Sequence, residues 1–323
     1  MLNIFTPIKS LEGAEELIQL GADELYCGVN PEEWAERYEN VKTPNRRPND
    51  HSQVEDLEEL AEIATLCHET DVKLYLTLND HFYSDDQATL LRELVEELST
   101  WEGITGYIVA DVHFMTELRN VVGDDEILVS TGATTFNGHT AAFLESLGAD
   151  GIHLPRHLTL DEIETIARTA PDSLDLYAFA LNSNCLLIDG HCTLLHNAPI
   201  EHEESFKEPC MQTYTQRLAD GGEERTIRDE TRLFNDPHRT EQACGVCSLY
   251  RFDQIGLSGV KMVGRRFPVS RKKADLEVLD HARRKTSEAD TEAEFRDMLQ
   301  ETVTDRGMEC SIDACYYPTV MDR

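Results

Sequence analysis

The chain has 323 residues, and its 62 acidic and 29 basic side chains give a formal net charge of -33. Its 40% apolar content allows a substantial core and excludes collagen-like and low-complexity classes. No apolar run approaches the roughly 20 residues that cross a bilayer, and the first residues lack the features of a secretion signal, so we expect a cytoplasmic protein without a membrane span.

Short β-rich runs alternate with amphipathic stretches of helical length along the first half of the chain. The predicted strands span residues 2–6, 24–29, 73–79, 106–111, 126–131, 151–154, 174–180 and 259–263. The predicted helices span residues 11–20, 54–67, 88–98, 114–122, 140–147 and 160–167. Asn137 is a predicted N-cap, and Thr159 with Glu162 three residues later predicts a capping box.

This order of elements predicts an α/β fold, a (β/α)8 TIM-type barrel. Short right-handed crossovers favour closing eight such units into one parallel sheet. An open, doubly wound sheet is the alternative. A dinucleotide-binding fold has no positive support, because no Gly-x-Gly-x-x-Gly sequence follows a predicted strand.

The regular alternation stops after the seventh predicted strand, in a polar stretch rich in His and Glu. We therefore divide the chain into seven β/α units in residues 1–182, a cysteine-rich insertion in 183–247, the last β/α unit in 248–285 and a C-terminal extension in 286–323. Irregular segments of this length are usually functional or disordered. The insertion leaves the C-terminal end of a strand, which is where barrels carry their chemistry.

Nine cysteines in a chain without an export signal indicate metal or redox chemistry rather than disulfides. Five of them lie in the insertion: Cys185, Cys192, Cys210, Cys244 and Cys247. Only Cys244 and Cys247 have the short spacing of a zinc knuckle, whereas widely spread cysteines are common around iron–sulfur clusters. The spacing favours a cluster, with zinc and unrelated buried thiols as alternatives.

The insertion begins with a motif that resembles a known family. The strand 176–180 leads to Cys185-x4-Gly190-x-Cys192, which is similar to the Cys-x4-Gly-x-Cys motif of peptidase family U32, the collagenase-like proteins. Residues 22–28 and 258–265 resemble an early and a late strand of the same family. The terminal run 315–318, Cys-Tyr-Tyr-Pro, is similar to that of a subgroup.

The resemblance implies a barrel with a 4Fe-4S cluster held by four cysteines. Cys185, Cys192 and Cys210 match the first three ligands, and the fourth is Cys244 or Cys247, with Cys247 preferred. It also implies oxygen-independent hydroxylation, of a ubiquinone precursor or of a base in RNA. Homologues in this family can work in pairs, so a homologous subunit or an electron donor is an expected partner.

Polar side chains at the predicted strand ends are the candidates for surrounding a substrate: Asn79, Asp111, Arg156 and Arg265. Arg156 and Arg265 carry guanidinium groups that can clamp a carboxylate or a phosphate through two hydrogen bonds. The substrate is a small molecule or an RNA base. An RNA substrate predicts that the basic run 265–273 lies beside the cluster mouth, and a small molecule predicts an enclosed pocket there.

Two other functions compete with hydroxylation. Proteolysis is the first, although the sequence contains no Gly-x-Ser-x-Gly and no His-Glu-x-x-His motif, and a thiolate bound to iron is not a free nucleophile. The second is a non-catalytic partner subunit of a homologous enzyme. Cys310 and Cys315 lie in an acidic tail that we expect to dock a second subunit or to cover the cluster. Burial of Tyr316 and Tyr317 against the barrel would favour the cover.

The excess of carboxylates over basic residues, 8 Lys and 21 Arg, is typical of a halophilic-type surface or of an ordinary acidic protein. Either disfavours an extensive phosphate-binding face, because like charges repel.

Overall fold

The computed structural model describes residues 1–38, 42–47, 52–185, 188–191, 215–216, 225–226, 243–305 and 314–318. The strands are β1 (Asn3–Pro7), β2 (Glu24–Cys27), β3 (Lys73–Leu78), β4 (Gly106–Val109), β5 (Glu126–Val129), β6 (Gly151–His153), β7 (Asp175–Leu181), β8 (Thr215–Gln216), β9 (Arg225–Thr226) and β10 (Gly259–Met262). The helices are α1 (Leu11–Gln19), α2 (Glu32–Tyr38), α3 (Leu57–Thr70), α4 (Asp85–Leu98), α5 (Val112–Arg119), α6 (Gly138–Ser146), α7 (Leu160–Thr169), α8 (Leu249–Gln254), α9 (Val269–Lys285) and α10 (Glu292–Asp305).

Eight of these strands form a closed parallel barrel in the order β1-β10-β7-β6-β5-β4-β3-β2. β1 closes the barrel, because it pairs with β10 at Phe5 and Lys261 and with β2 at Phe5 and Glu24. The predicted (β/α)8 barrel is therefore confirmed, and the open doubly wound sheet is wrong. β8 and β9 form a separate antiparallel pair.

Local sequence signals account for the helix starts. Asn137 Oδ1 accepts a hydrogen bond from the backbone N–H of Thr140 at 2.9 Å, which confirms the predicted N-cap of α6. At α7, Thr159 and Glu162 each accept a bond from the other's backbone N–H, at 3.3 and 2.7 Å. This reciprocal capping box satisfies two N–H groups that a helix start leaves without partners.

Two buried clusters flank the strands. The larger one lies between the barrel and its helices. The smaller one lies inside the barrel and consists of Phe5, Tyr26, Tyr75, Ile108, Leu128 and Tyr177. Rings from β2, β3 and β7 all meet Phe5, with centroid separations of 5.0 to 5.5 Å, so this end of the interior is packed with aromatic side chains.

None of the helices in the described part of the chain is both long and apolar enough to cross a membrane. The proposed division into four segments stays a prediction, since most of residues 183–247 lie outside the described ranges.

Candidate functional site

Two cysteines from distant parts of the chain meet at the C-terminal end of β7. Cys244 pairs with Leu181, the last residue of β7, and on its other side with Cys315. The Cys244 N–H donates to the Ala314 carbonyl at 2.8 Å, and its own carbonyl accepts from the Tyr316 N–H at 2.9 Å. The C-terminal extension therefore pairs with the insertion through an isolated backbone bridge at the C-terminal end of β7.

The tyrosines of this extension are buried against the barrel. The Tyr317 hydroxyl donates to the Phe179 carbonyl at 2.8 Å, and the Tyr316 hydroxyl donates to the Asn182 carbonyl. Tyr316 and Tyr317 are only 4% and 2% exposed. This burial is the arrangement expected of a cover over the mouth rather than of an exposed docking patch.

Cys185 lies beside a buried ion pair between Arg156 and Asp189. The Arg156 side chain donates to both Asp189 oxygens, at 2.5 Å from Nη2 and 2.9 Å from Nε, and its Nη1 donates to the Ser183 carbonyl. Burial lowers the pKa of Arg156, but Asp189 outweighs it and raises that pKa overall. The Cys185 thiol donates to Asp189. Arg156 thus fixes the loop that carries Cys185, and its guanidinium is already engaged there.

Arg265 has no such carboxylate. Its guanidinium donates to Thr77 Oγ1 at 3.0 Å and to Asn45 Oδ1 at 3.1 Å, and no Asp or Glu of the described ranges forms an ion pair with it. Burial lowers its pKa to about 10. A Cβ atom at Gly28 would lie 2.1 Å from Arg265 Nη1, so only glycine at this position leaves room for the guanidinium.

Arg47 adds a second positive charge that no carboxylate within the described segments balances. Burial, together with the nearby charges of Arg265, Arg46 and Arg156, lowers its pKa to about 10. In a chain with a net charge of -33, a buried Arg265 and a half-buried Arg47 without a carboxylate partner in the described segments indicate that an anion belongs beside them.

The other two predicted substrate residues differ in their contacts. The Asn79 side chain donates to Ser130 Oγ at 3.2 Å, and its buried carbonyl oxygen makes no hydrogen bond in the described structure. The Asp111 carboxylate accepts from the backbone N–H groups of His113 and Tyr83, at 2.9 and 2.8 Å. Asp111 is therefore the N-cap of α5, whereas Asn79 keeps an acceptor for a ligand.

The basic run after β10 is largely committed to contacts within the chain. Lys272 Nζ donates to the Arg265 carbonyl at 2.9 Å, and Lys273 pairs with Glu16 at 2.6 Å. The Arg271 guanidinium lies 3.7 Å above the Phe267 ring. These contacts leave little of the run for an extended RNA surface.

Sequence reasoning missed two buried nitrogen groups inside the barrel, those of Lys261 on β10 and His153 on β6. Lys261 lies in the run 258–265, which resembles a late strand of a known family. The alternation of side chains along a strand is the signal that could have found Lys261. It places Gly259, Lys261 and Val263 on the same face of the sheet.

Other predicted residues lie apart or outside the described segments. Cys27 and Cys67 are buried, and burial raises the pKa of each thiol to about 12. Cys192, Cys210 and Cys310 lie outside the described residues. Within the described residues, no group of three or more His, Cys, Asp and Glu side chains has metal-binding geometry.

The model of one protein family, Peptidase family U32, matches residues 9–317. The chain belongs to this family. A collagenase of Porphyromonas gingivalis is 29% identical over 70% of this chain and 53% of its own length. The 23S rRNA 5-hydroxycytidine C2501 synthase of Escherichia coli is 26% identical, over 60% of this chain and 26% of its own length. The tRNA hydroxylation protein P of Escherichia coli is 24% identical, over 59% and 38%.

This U32 chain thus spans between about a quarter and about half of the length of these relatives. A solved structure of a U32 peptidase aligns with 56% of the chain and 69% of that structure, with 16% identity and a TM-score of 0.45.

The U32 cysteine motif has a structural requirement at its glycine. Gly190 has a φ of +87°, and a Cβ atom there would lie 2.3 Å from Thr134 Cγ2 and 2.8 Å from the Gly132 carbonyl oxygen. Both the left-handed conformation and the close approach need glycine. These close contacts hold the motif against the loop after β5. The ion pair between Asp189 and Arg156 holds it at the residue next to Gly190 in the sequence.

Proposed function

We propose that this U32 protein binds an iron–sulfur cluster at the C-terminal end of β7 and carries out oxygen-independent hydroxylation of a small molecule or an RNA base. One observation carries the proposal: backbone segments that carry cysteines and come from separate parts of the chain meet at this strand end. Cys244 pairs with both Leu181 and Cys315, and Cys185 follows Leu181 by four residues. Thiolates are the usual ligands of such clusters.

The proposed 4Fe-4S ligands are Cys185, Cys192, Cys210 and Cys247, with Cys244 as the alternative fourth ligand. The described ranges contain Cys185, Cys244 and Cys247, which are each partly exposed, as ligands at a mouth should be. When bound, the cluster supplies one-electron chemistry at iron. Zinc at the same thiols is the alternative.

The protein's own residues have distinct roles in this proposal. Arg265 and Arg47 bind an anionic group of the substrate, since each carries a charge with a lowered pKa and no carboxylate partner in the described segments. Asn79 offers its unbonded carbonyl oxygen to a substrate N–H or hydroxyl. Arg156 positions the Cys185 loop through Asp189, and the tyrosines of the C-terminal extension exclude water.

The names of two relatives support hydroxylation, since one makes 5-hydroxycytidine in 23S rRNA and the other is a tRNA hydroxylation protein. Proteolysis is the second candidate, because a relative with 29% identity is a collagenase. A non-catalytic role beside a homologous subunit or an electron donor is the third.

Cells that produce the wild-type chain, Arg265→Met or Arg168→Met under anaerobic conditions separate these functions. We expect hydroxylated nucleosides or a hydroxylated small molecule with the wild type and with Arg168→Met, whose arginine is exposed on α7. Arg265→Met should lose the product. Gelatin cleavage by purified, cluster-free protein, with no hydroxylated product in cells, would replace this proposal with the peptidase.

A further inference from the structure

Inside the barrel two buried side chains, Lys261 and His153, carry nitrogen atoms that form no hydrogen bond within the described residues. The Lys261 ammonium position lies 4.8 Å from the Phe5 ring centroid and 4.1 Å from that of Tyr26. His153 is 1% exposed, and within the described structure neither of its ring nitrogens makes a hydrogen bond. Its ring meets the same Phe5 ring at 4.9 Å. Buried polar groups without partners are rare in folded proteins.

The charges around Lys261 come from three other positions. Glu24 on β2 attracts a proton to the amine, whereas Arg265 after β10 and Arg156 after β6 repel it. Within the described segments no carboxylate forms an ion pair with Lys261. Burial, followed by the two arginines, holds the pKa of Lys261 well below its usual range. A lower pKa makes the uncharged, nucleophilic form of this amine more accessible than that of an ordinary lysine.

We propose that Lys261 is a reactive amine that condenses with the aldehyde or ketone group of a small molecule carrying an acidic group, with His153 relaying the protons. The Nζ lone pair attacks the carbonyl carbon, and the carbonyl π electrons move to the oxygen. Both Nζ protons pass to that oxygen through His153, and it leaves as water. The product is an imine between Nζ and the former carbonyl carbon, and no oxidant or reductant is consumed.

The acidic group follows from the arginines. The charge of Arg265 lowers the pKa of Lys261 and also that of Arg47. A carboxylate or phosphate beside these guanidinium groups would supply the counter-charge that the described residues lack. The carbonyl group of the same molecule would then extend inward toward Lys261. This inference is independent of the cluster.

Lys272 is a natural control in the same region. Burial lowers its pKa to about 7, so it is also largely uncharged in mildly alkaline solution. Unlike Lys261, it donates a hydrogen bond to the Arg265 carbonyl at 2.9 Å, and it is 1% exposed against 8% for Lys261. If a lowered pKa alone determined reactivity, both lysines would be modified. A binding site for the carbonyl compound beside Lys261 would direct the modification to Lys261.

Glyoxylate and cyanoborohydride test the proposal on the full chain without iron, near neutral pH. Reduction of the imine leaves carboxymethyl-lysine, which peptide mass spectrometry assigns among the 8 lysines. We expect Lys261 to react first, before Lys272 and before Lys73 and Lys273, which are 42% and 38% exposed. Acetaldehyde, which lacks the carboxylate, should require about tenfold more reagent for the same labelling.

Three variants complete the test. Arg265→Met should remove the preference for glyoxylate over acetaldehyde, His153→Phe should slow both reactions, and Lys261→Met should abolish the early label. Unmodified Lys261 after Lys73 and Lys273 have reacted would overturn the proposal. So would equal labelling of Lys261 and Lys272. The order in which the lysines of the wild-type protein react decides whether the proposal holds. The test therefore remains valid if a variant fails to fold.

Discussion

Cys315 lies directly opposite Cys244, in parallel register, although one belongs to the C-terminal extension and the other to the insertion. Side chains at paired positions of neighbouring strands lie on the same face. Neighbouring strands run about 4.8 Å apart, which is within the Cα separations of disulfides, about 4.4–6.8 Å. The Cα atoms of Cys244 and Cys315 therefore lie within the range that a disulfide can bridge.

Mild oxidation of cluster-free protein should join Cys244 to Cys315. The pairing makes them mutual neighbours, whereas Cys27 and Cys67 are buried and their raised pKa values suppress the reactive thiolate. Peptide mass spectrometry after diamide treatment identifies the bond. Cross-links that include Cys27 or Cys67 but not Cys315 would contradict the register.

Asp189→Asn should destabilise the protein by about 3 kcal/mol, because it leaves the buried Arg156 charge without its carboxylate. Urea unfolding measures the loss. The double variant Arg156→Met/Asp189→Leu should lose less, since it removes both charges. Glu62→Gln on the exposed face of α3 is the control. A loss in Asp189→Asn no larger than in Glu62→Gln would show that the pair is not buried in solution.

Glu24 should make the stability fall as the pH rises. Burial raises its pKa to about 7 from 4.5, so between these values the folded state binds more protons than the unfolded state. The free energy of unfolding therefore declines through this window and stays lower above it, by up to about 3 kcal/mol. Glu24→Gln should raise the melting temperature at pH 8 and have little effect at pH 4.5. If Glu24→Gln raised the melting temperature only in acid, the pH dependence would have the opposite sign, and the raised pKa of Glu24 would be refuted.

Salt should stabilise the chain. Its net charge of -33 produces self-repulsion that is screened as the Debye length falls from about 10 Å at 0.1 M salt to about 3 Å at 1 M. We expect the melting temperature to rise between about 0.1 and 2 M KCl. Uncharged sucrose at matched osmolality is the control. An unchanged or falling melting temperature in KCl would assign the charge to an ordinary acidic surface.

The barrel was predictable because its signals are local. Each strand is a short apolar run, and helix starts such as Thr159 with Glu162 carry their own caps. The missed helices have weak patterns. α2 is 7 residues long, and Trp34 is its one buried residue. The sequence of α9 is rich in basic residues, which is typical of an exposed helix, although Lys272 and Arg283 are buried. Those two burials depend on distant partners, including Asp23 for Arg283.

The candidate site was predictable only in part. The motif indicated Cys185 and the resemblance indicated Arg265, but no sequence rule pairs Arg156 with Asp189 across 33 residues. Asp111 follows a strand as a substrate residue would, yet its carboxylate caps α5. The position of Cys315 in the sequence does not indicate that it pairs with Cys244, because this pairing is a backbone bridge between two distant segments. Three-dimensional neighbours of this kind are set by the closed barrel.

Iron and acid-labile sulfide analysis of anaerobically purified protein, together with its visible spectrum, measures whether the protein binds an iron–sulfur cluster. We expect about four irons and four sulfides per chain in the wild type and in Cys67→Ser, and their loss in Cys185→Ser and Cys192→Ala. Stoichiometric zinc without sulfide, or colourless protein with no metal after anaerobic reconstitution, would contradict the proposed cluster.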